Sequence, residues 1–318
     1  MALMEITLSN IATAGAAIRS GELIGLPTET VYGLAADATN EAAVLKIYET
    51  KRRPKINPLI VHITNIAEAK KIAKFNMLAE KLANAWWPGP LTLVLPMLNN
   101  SSIADVVVNG QQTIALRIPA HPVAYKVIEA ADRPIAAPSA NISGHISATN
   151  AEHVLADFGN NVPFVLDAGP SDHGLESTII DTTDNIATIL RHGHITLDDI
   201  KSLNCRTKNH ANKFSTKPNA PGQLLSHYSP HSKVRLNVLR PNSGEAFIAF
   251  GSNVPSHSGP FTNISRSGDL LEAAFNLFTA LRHLDSSFPK SIAVMPIPNH
   301  GIGIAINDRL NRAAAPRR

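Results

Sequence analysis

Four short segments of this 318-residue chain set polar side chains against Gly/Pro turns and strand-like apolar runs. The first, Leu-Pro-Thr-Glu-Thr-Val-Tyr-Gly-Leu at 26–34, places hydroxyls and a carboxylate directly after an apolar run. Strand-end loops of α/β sheets are where ligands usually bind, although Thr and Gly also simply build turns. The second, Lys-Arg-Arg-Pro-Lys-Ile-Asn-Pro-Leu at 51–59, carries four cations in five residues. A solvated cluster capping a helix C-terminus accounts for them as well as a phosphate site does. Pro54 and Pro58 stiffen the loop, and fixed cationic groups are what a triphosphate needs.

The third segment, Ala-Ala-Pro-Ser-Ala-Asn-Ile-Ser-Gly at 136–144, combines small residues with Ser139 and Asn141. Two positions apart, these two side chains share a face if the backbone is extended. The fourth, Gly-Leu-Glu-Ser-Thr-Ile-Ile-Asp at 174–181, is followed by Leu190-Arg191. Each alone reads equally well as a turn entering a strand. The chain has no Gly-x4-Gly-Lys-[Ser/Thr] loop, no Gly-x-Gly-x-x-Gly fingerprint and no His-Glu-x-x-His site. Its thirteen histidines show no ligand spacing. The one cysteine, Cys205, excludes an intramolecular disulfide and has no acid–base partner nearby in sequence.

These segments need strands to hold them. The patterns predict strands at Leu23–Leu26, Leu59–Ile63, Leu91–Leu95, Ile114–Ile118, Ile135–Ala137, Phe164–Asp167, Thr178–Asp181 and Thr188–Leu190. Helices are predicted at Ile11–Arg19, Glu41–Glu49, Leu78–Trp86, Pro122–Ala131 and Ala151–Phe158, with Asn40 and Asn150 as cap signals. That alternation is an α/β domain over residues 1–203. Residues 204–232 are polar at first, with Pro218 and Pro221, and read as a linker. A smaller α/β unit follows over 233–318, with strands at Val234–Leu239, Ala246–Phe250 and Ile292–Met295 and helices at Leu270–Leu284 and Ile304–Ala314.

Composition is ordinary for a globular protein, with 44% hydrophobic and 17% charged residues. Lys and Arg exceed Asp and Glu by 29 − 25 = 4, a mild bias toward anionic partners that an ordinary basic surface also explains. No signal peptide and no membrane-length apolar run is evident, so a soluble cytoplasmic protein without a membrane partner is expected.

Taken together and in this order, the segments resemble the YrdC-like family of L-threonylcarbamoyladenylate synthases. The match also includes Asn-Pro-Leu-Ile-Val-His at 57–62 and Trp-Pro-Gly-Pro-Leu-Thr at 87–92. Beyond the linker, His-Tyr-Ser-Pro at 227–230 and Gly-Ile-Gly-Ile-Ala-Ile-Asn-Asp-Arg-Leu at 301–310 resemble the long, two-domain members.

The resemblance implies a twisted mixed-sheet α/β catalytic domain and a smaller Rossmann-like domain. It implies the conversion of L-threonine, bicarbonate or CO2, and ATP into threonylcarbamoyl-AMP and pyrophosphate. Mg2+ would arrive with ATP, needing no all-protein metal site. The product would pass to tRNA threonylcarbamoyl transferase machinery, with tRNA contact possible. The implied catalytic residues are Lys51 and Arg53. Arg53, Asn57, Thr113, Ser139, Asn141, Ser147, Arg191 and Tyr228 would hold ATP. Thr30, His62, Arg117, Ala137 and Ser177 would hold threonine, Arg117 pairing with its carboxylate. Without the resemblance, His62 reads as a satisfied core histidine.

Residues 221–230 are expected to form a lid that excludes water. Two departures stand out. Gln-Leu-Leu-Ser at 223–226 replaces the basic residues usual before His-Tyr, and His192 follows Arg191 where proline is common. The alternatives are an RNA-binding module, which the 5% aromatic content and lack of aromatic-interleaved basic stretches disfavour, and a related enzyme using another carbamoyl donor or amino acid.

Overall fold

The computed structural model describes residues 2–210 and 228–316. The first unit is built on strands β1 (Ala2–Glu5), β2 (Ile24–Leu26), β3 (Gly33–Asp37), β4 (Ile60–His62), β5 (Leu91–Pro96), β6 (Thr113–Arg117), β7 (Ile135–Ala136), β8 (Phe164–Asp167), β9 (Thr178–Asp181), β10 (Ala187–Arg191) and β11 (Thr207–Asn209). They form one mixed sheet in the order β1-β8-β2-β3-β7-β4-β6-β5-β9-β10-β11. Strand β3 is buried on both faces: Leu34 and Ala36 enter the larger core and Ala35 the smaller. That is the period-two alternation of a strand covered on each side.

Helices begin where the sequence supplies a cap. The side chains of Asn40, Asn65, Asn76 and Asn150 each accept the N–H three residues on, at Ala43, Glu68, Ala79 and His153. Helices α1 (Leu8–Arg19) through α2 (Glu41–Lys51) to α7 (Ala151–Phe158) match the predicted ones in position where a clear 3.6-residue period exists. Between them lie α3 (Ile66–Ile72), α4 (Met77–Trp86), α5 (Asp105–Val108) and α6 (Pro122–Ala131); α8 (Leu197–Ser202) follows.

The expected linker from residue 204 begins instead with β11, which pairs in parallel with β10 through Ala187↔Thr207 to Ile189↔Asn209. Its polar sequence suits a sheet edge with little to bury, so it carries no apolar alternation. Short β3 also escaped prediction, being built of small residues.

The second unit holds a four-stranded parallel sheet of β12 (Lys233–Arg235), β13 (Ala246–Ala249), β14 (Phe261–Asn263) and β15 (Ser291–Val294), ordered β12-β15-β13-β14, with helices α9 (Leu270–Asp285) and α10 (Gly303–Ala314). Its core takes in Val31, Ile146 and Leu175 of the first unit. Arg282 of α9 reaches across to both carboxylate oxygens of Asp157, at 2.9 and 2.8 Å. Among the described residues, no helix is long and apolar enough to cross a membrane.

Candidate active site

The strand ends and loops of the first unit converge on one cavity. The loop after β2 is fixed by Thr28, whose hydroxyl donates to the Val31 carbonyl (2.6 Å) and lies 3.0 Å from the Thr30 hydroxyl. Arg117 closes β6 beside it. Its Nη1 donates to Thr30 Oγ1 (2.9 Å), its Nη2 to Glu29 Oε1 (2.6 Å) and its Nε to the Gly89 carbonyl (3.3 Å). A guanidinium has five N–H groups, and these contacts use three of them. His62 ends β4 in direct register with Arg117. Burial, reinforced by the Arg117 charge, pushes its pKa down to about 3, so the ring is neutral at physiological pH.

The opposite wall comes from the β9–β10 pair. Ser177 Oγ lies 2.7 Å from Thr92 Oγ1 and accepts from Arg191 Nη2 at 3.0 Å, while Arg191 Nε donates to the Ser177 carbonyl. Gly193 permits this approach. A Cβ there would stand 2.5 Å from the Thr178 nitrogen and 2.6 Å from the Glu176 carbonyl. Glu176, also on the wall, receives Ser147 Oγ at 2.5 Å and Arg309 Nε at 3.0 Å. Burial works against its charge, but Arg309 and Arg191 outweigh burial and hold the carboxyl at about 2.

Cationic and small-residue loops complete the enclosure. Arg53 is anchored through Nε to the Asn57 carbonyl (3.1 Å) and Nη2 to the Pro58 carbonyl (2.9 Å). Burial, with Arg191 nearby, lowers its pKa to about 10, so it stays charged. Ser139 Oγ donates to Asn141 Oδ1 at 2.6 Å. Tyr228 has a left-handed backbone (φ 62°), and burial lifts its phenol to about 12.

Residues 16–193 match the Sua5/YciO/YrdC family, described as telomere recombination, and residues 195–315 match the threonylcarbamoyl-AMP synthase C-terminal domain. Threonylcarbamoyl-AMP synthase of Pyrococcus abyssi is 39% identical over 96% of this chain and 94% of its own. The Bacillus subtilis protein of the same name is 36% identical over 96% and 93%.

The chain belongs to the threonylcarbamoyl-AMP synthase family. The structure of P. abyssi Sua5 complexed with L-threonine superposes with a TM-score of 0.91 at 36% identity, covering 99% of this chain and 98% of that one. Both units of this family member thus share one two-domain architecture with that protein.

Of the residues expected from sequence, Thr30, Arg53, His62, Arg117, Ala137, Ser139, Ser177, Arg191 and Tyr228 line this single cavity. Five do not. Lys51 is not among the lining residues: Nζ donates to the carbonyl of Ser139 (2.5 Å) and to that of Asn141. Burial, with Arg53 close by, pushes the pKa of this ammonium well down. Lys51 therefore ties the end of helix α2 to the Ser-x-Asn loop. Asn141 is spent inside that loop, donating to the carbonyls of Ile142 and His145. Ser147 stands behind Glu176, and the Asn57 amide is buried with no hydrogen bond among the described residues. Thr113 opens β6 opposite Pro96, at the other end of the strand from Arg117.

Sequence reasoning passed over Thr28, Glu29, Glu176 and Arg309. All four sit inside the segments that carry the resemblance, but a carboxylate beside an expected anion site had no visible partner. Arg309 is 133 positions from Glu176, and nothing local signals the contact. His227 and the rest of the expected lid up to it lie outside the described residues.

Proposed function

We propose that this chain makes threonylcarbamoyl-AMP and pyrophosphate from L-threonine, bicarbonate or CO2, and ATP carried as its Mg2+ complex. The observation that carries the reading is that one cavity is lined both by Thr30, neutral His62 and Arg117 and by Arg53, Ser139 and Arg191.

In this reading the two spare N–H groups of Arg117 take the threonine carboxylate, while Thr30, Ala137 and Ser177 enclose its side chain. A polar contact to the threonine hydroxyl selects against valine, since losing it strands a buried polar group. His62 stays uncharged and so adds no second positive charge beside Arg117. The carbamate oxygen attacks the α-phosphorus and pyrophosphate leaves, so negative charge builds where Arg53 and Arg191 stand. Each charge-assisted hydrogen bond contributes about 1.5–3 kcal/mol. Lys51 acts indirectly by holding the Ser139–Asn141 backbone, and Tyr228 flanks the nucleotide. The product is a hydrolysable mixed anhydride, consumed by transfer onto tRNA in the cytoplasm.

Purified protein incubated with ATP, Mg2+ and bicarbonate should release pyrophosphate only when L-threonine is added, and far less with serine or valine. Salt-sensitive RNA binding without turnover would instead favour the binding-module reading.

A further inference from the structure

Arg309 lies on α10 in the second unit, yet its side chain is wholly buried and reaches the first through two of its three donating nitrogens. Nε donates to Glu176 Oε2 (3.0 Å), Nη2 to the His192 carbonyl (2.8 Å) and Nη1 to Asp308 Oδ2 (2.9 Å). The guanidinium carbon stands 5.3 Å from the centre of the Tyr228 ring. That ring stacks in turn on Phe278 of α9, with centroids 5.4 Å apart. Glu176 and Tyr228 line the cavity, whereas Arg309 does not.

We propose that Arg309 is a positioning residue for adenylation: by fixing Glu176 and seating Tyr228, it makes the nucleotide side of the cavity depend on the docked second unit. This rests on the function proposed above. A bare carboxylate at Glu176 would repel an incoming triphosphate, and a protonated one would release Ser147 from its charge-assisted bond. Arg309 prevents both by neutralising Glu176 without touching the ligand. It also grips the His192 carbonyl, one residue beyond Arg191, and so fixes the loop that aims Arg191 at Ser177. Arg282 differs: it joins the units through Asp157 and the carbonyls of Ile146 and Ser147, outside the cavity wall.

The test uses the full chain. The charged or titratable groups facing Glu176 are Arg309, Arg191 and the Tyr228 phenol, with Ser147 as its hydrogen-bond donor. In Arg309→Met, burial wins over the remaining Arg191 charge, and carbon-13 NMR should show Glu176 titrating at least about one unit higher than in the native chain. The acid limb of pyrophosphate release should move up with it, and the ATP KM should rise about tenfold or more while the threonine KM changes less than about threefold. In a Glu176→Gln background, Arg309→Met should add no further limb shift. Arg309→Lys keeps the charge but cannot hold Glu176 and the His192 carbonyl together, so it should leave the limb in place and still raise the ATP KM about fivefold or more. An unmoved Glu176 titration in Arg309→Met, or a native ATP KM in Arg309→Lys, overturns the proposal. Because the NMR titration needs no turnover, an inactive native protein would defeat the functional reading, while the titration still decides whether Arg309 controls Glu176.

Discussion

Arg117 and Glu29 meet at 2.6 Å in the cavity wall, with about 5% of each side chain exposed. Burial opposes the Glu29 charge, but Arg117 outweighs it and the carboxyl pKa ends below its ordinary value. Breaking such a pair from one side leaves an uncompensated buried charge, at a cost of about 3–5 kcal/mol. Arg117→Ala should therefore lower the urea midpoint markedly. Arg117→Lys is the sharper probe, since it keeps the charge and loses the fork. It should raise the threonine KM about 10- to 100-fold at saturating ATP. An unchanged threonine KM would rule out carboxylate binding by Arg117.

Lys51 and Arg53 should separate by mechanism. Arg53→Ala should cut pyrophosphate release by about 100-fold or more, because the group faces developing charge. Lys51→Met should lose activity together with stability, about 1–3 kcal/mol, because the carbonyls of Ser139 and Asn141 lose their shared donor. Thermal melts decide the point: a Lys51→Met protein with native Tm but no turnover would restore the direct phosphate role.

Acid sensitivity should reflect His62. Its folded pKa of about 3 lies below the ordinary 6.5, so below pH 6.5 the unfolded chain binds a proton that the folded chain does not. The stability it contributes is thus complete above 6.5 and lost as pH falls toward 3, by up to about 1.4 kcal/mol per pH unit. His194, also lowered to about 3, and His153, to about 4, act in the same direction. Urea midpoints between pH 7 and 4.5 should fall less steeply in His62→Gln, and equal slopes would show that His62 is not held neutral.

Gly193 tests the closeness of the β9–β10 wall. A Cβ would meet backbone atoms of both Glu176 and Thr178, which cannot rotate away. Gly193→Ala should cost about 1–3 kcal/mol and displace Arg191 from Ser177, raising the ATP KM. A variant with native melting and kinetics would show that the loop has slack.

Helices with an Asn cap and a clean apolar period, such as Glu41–Lys51 and Ala151–Phe158, were legible in the sequence because both signals are local. Strands with several large apolar residues were legible for the same reason. So was most of the cavity, because the motifs already carry its side chains in strand-end loops. The edge strand Thr207–Asn209 was hidden, since it buries too little to need an apolar pattern.

What tertiary structure alone decided is where each charge goes. Lys51 and Arg53 are two residues apart in one basic run and both donate to backbone carbonyls, yet only Arg53 lines the cavity. Glu29 and Glu176 become neutralised wall groups only because Arg117 and Arg309 arrive from distant strands and helices. A buried charge is settled by the partner that reaches it in space, and sequence spacing does not encode that partner.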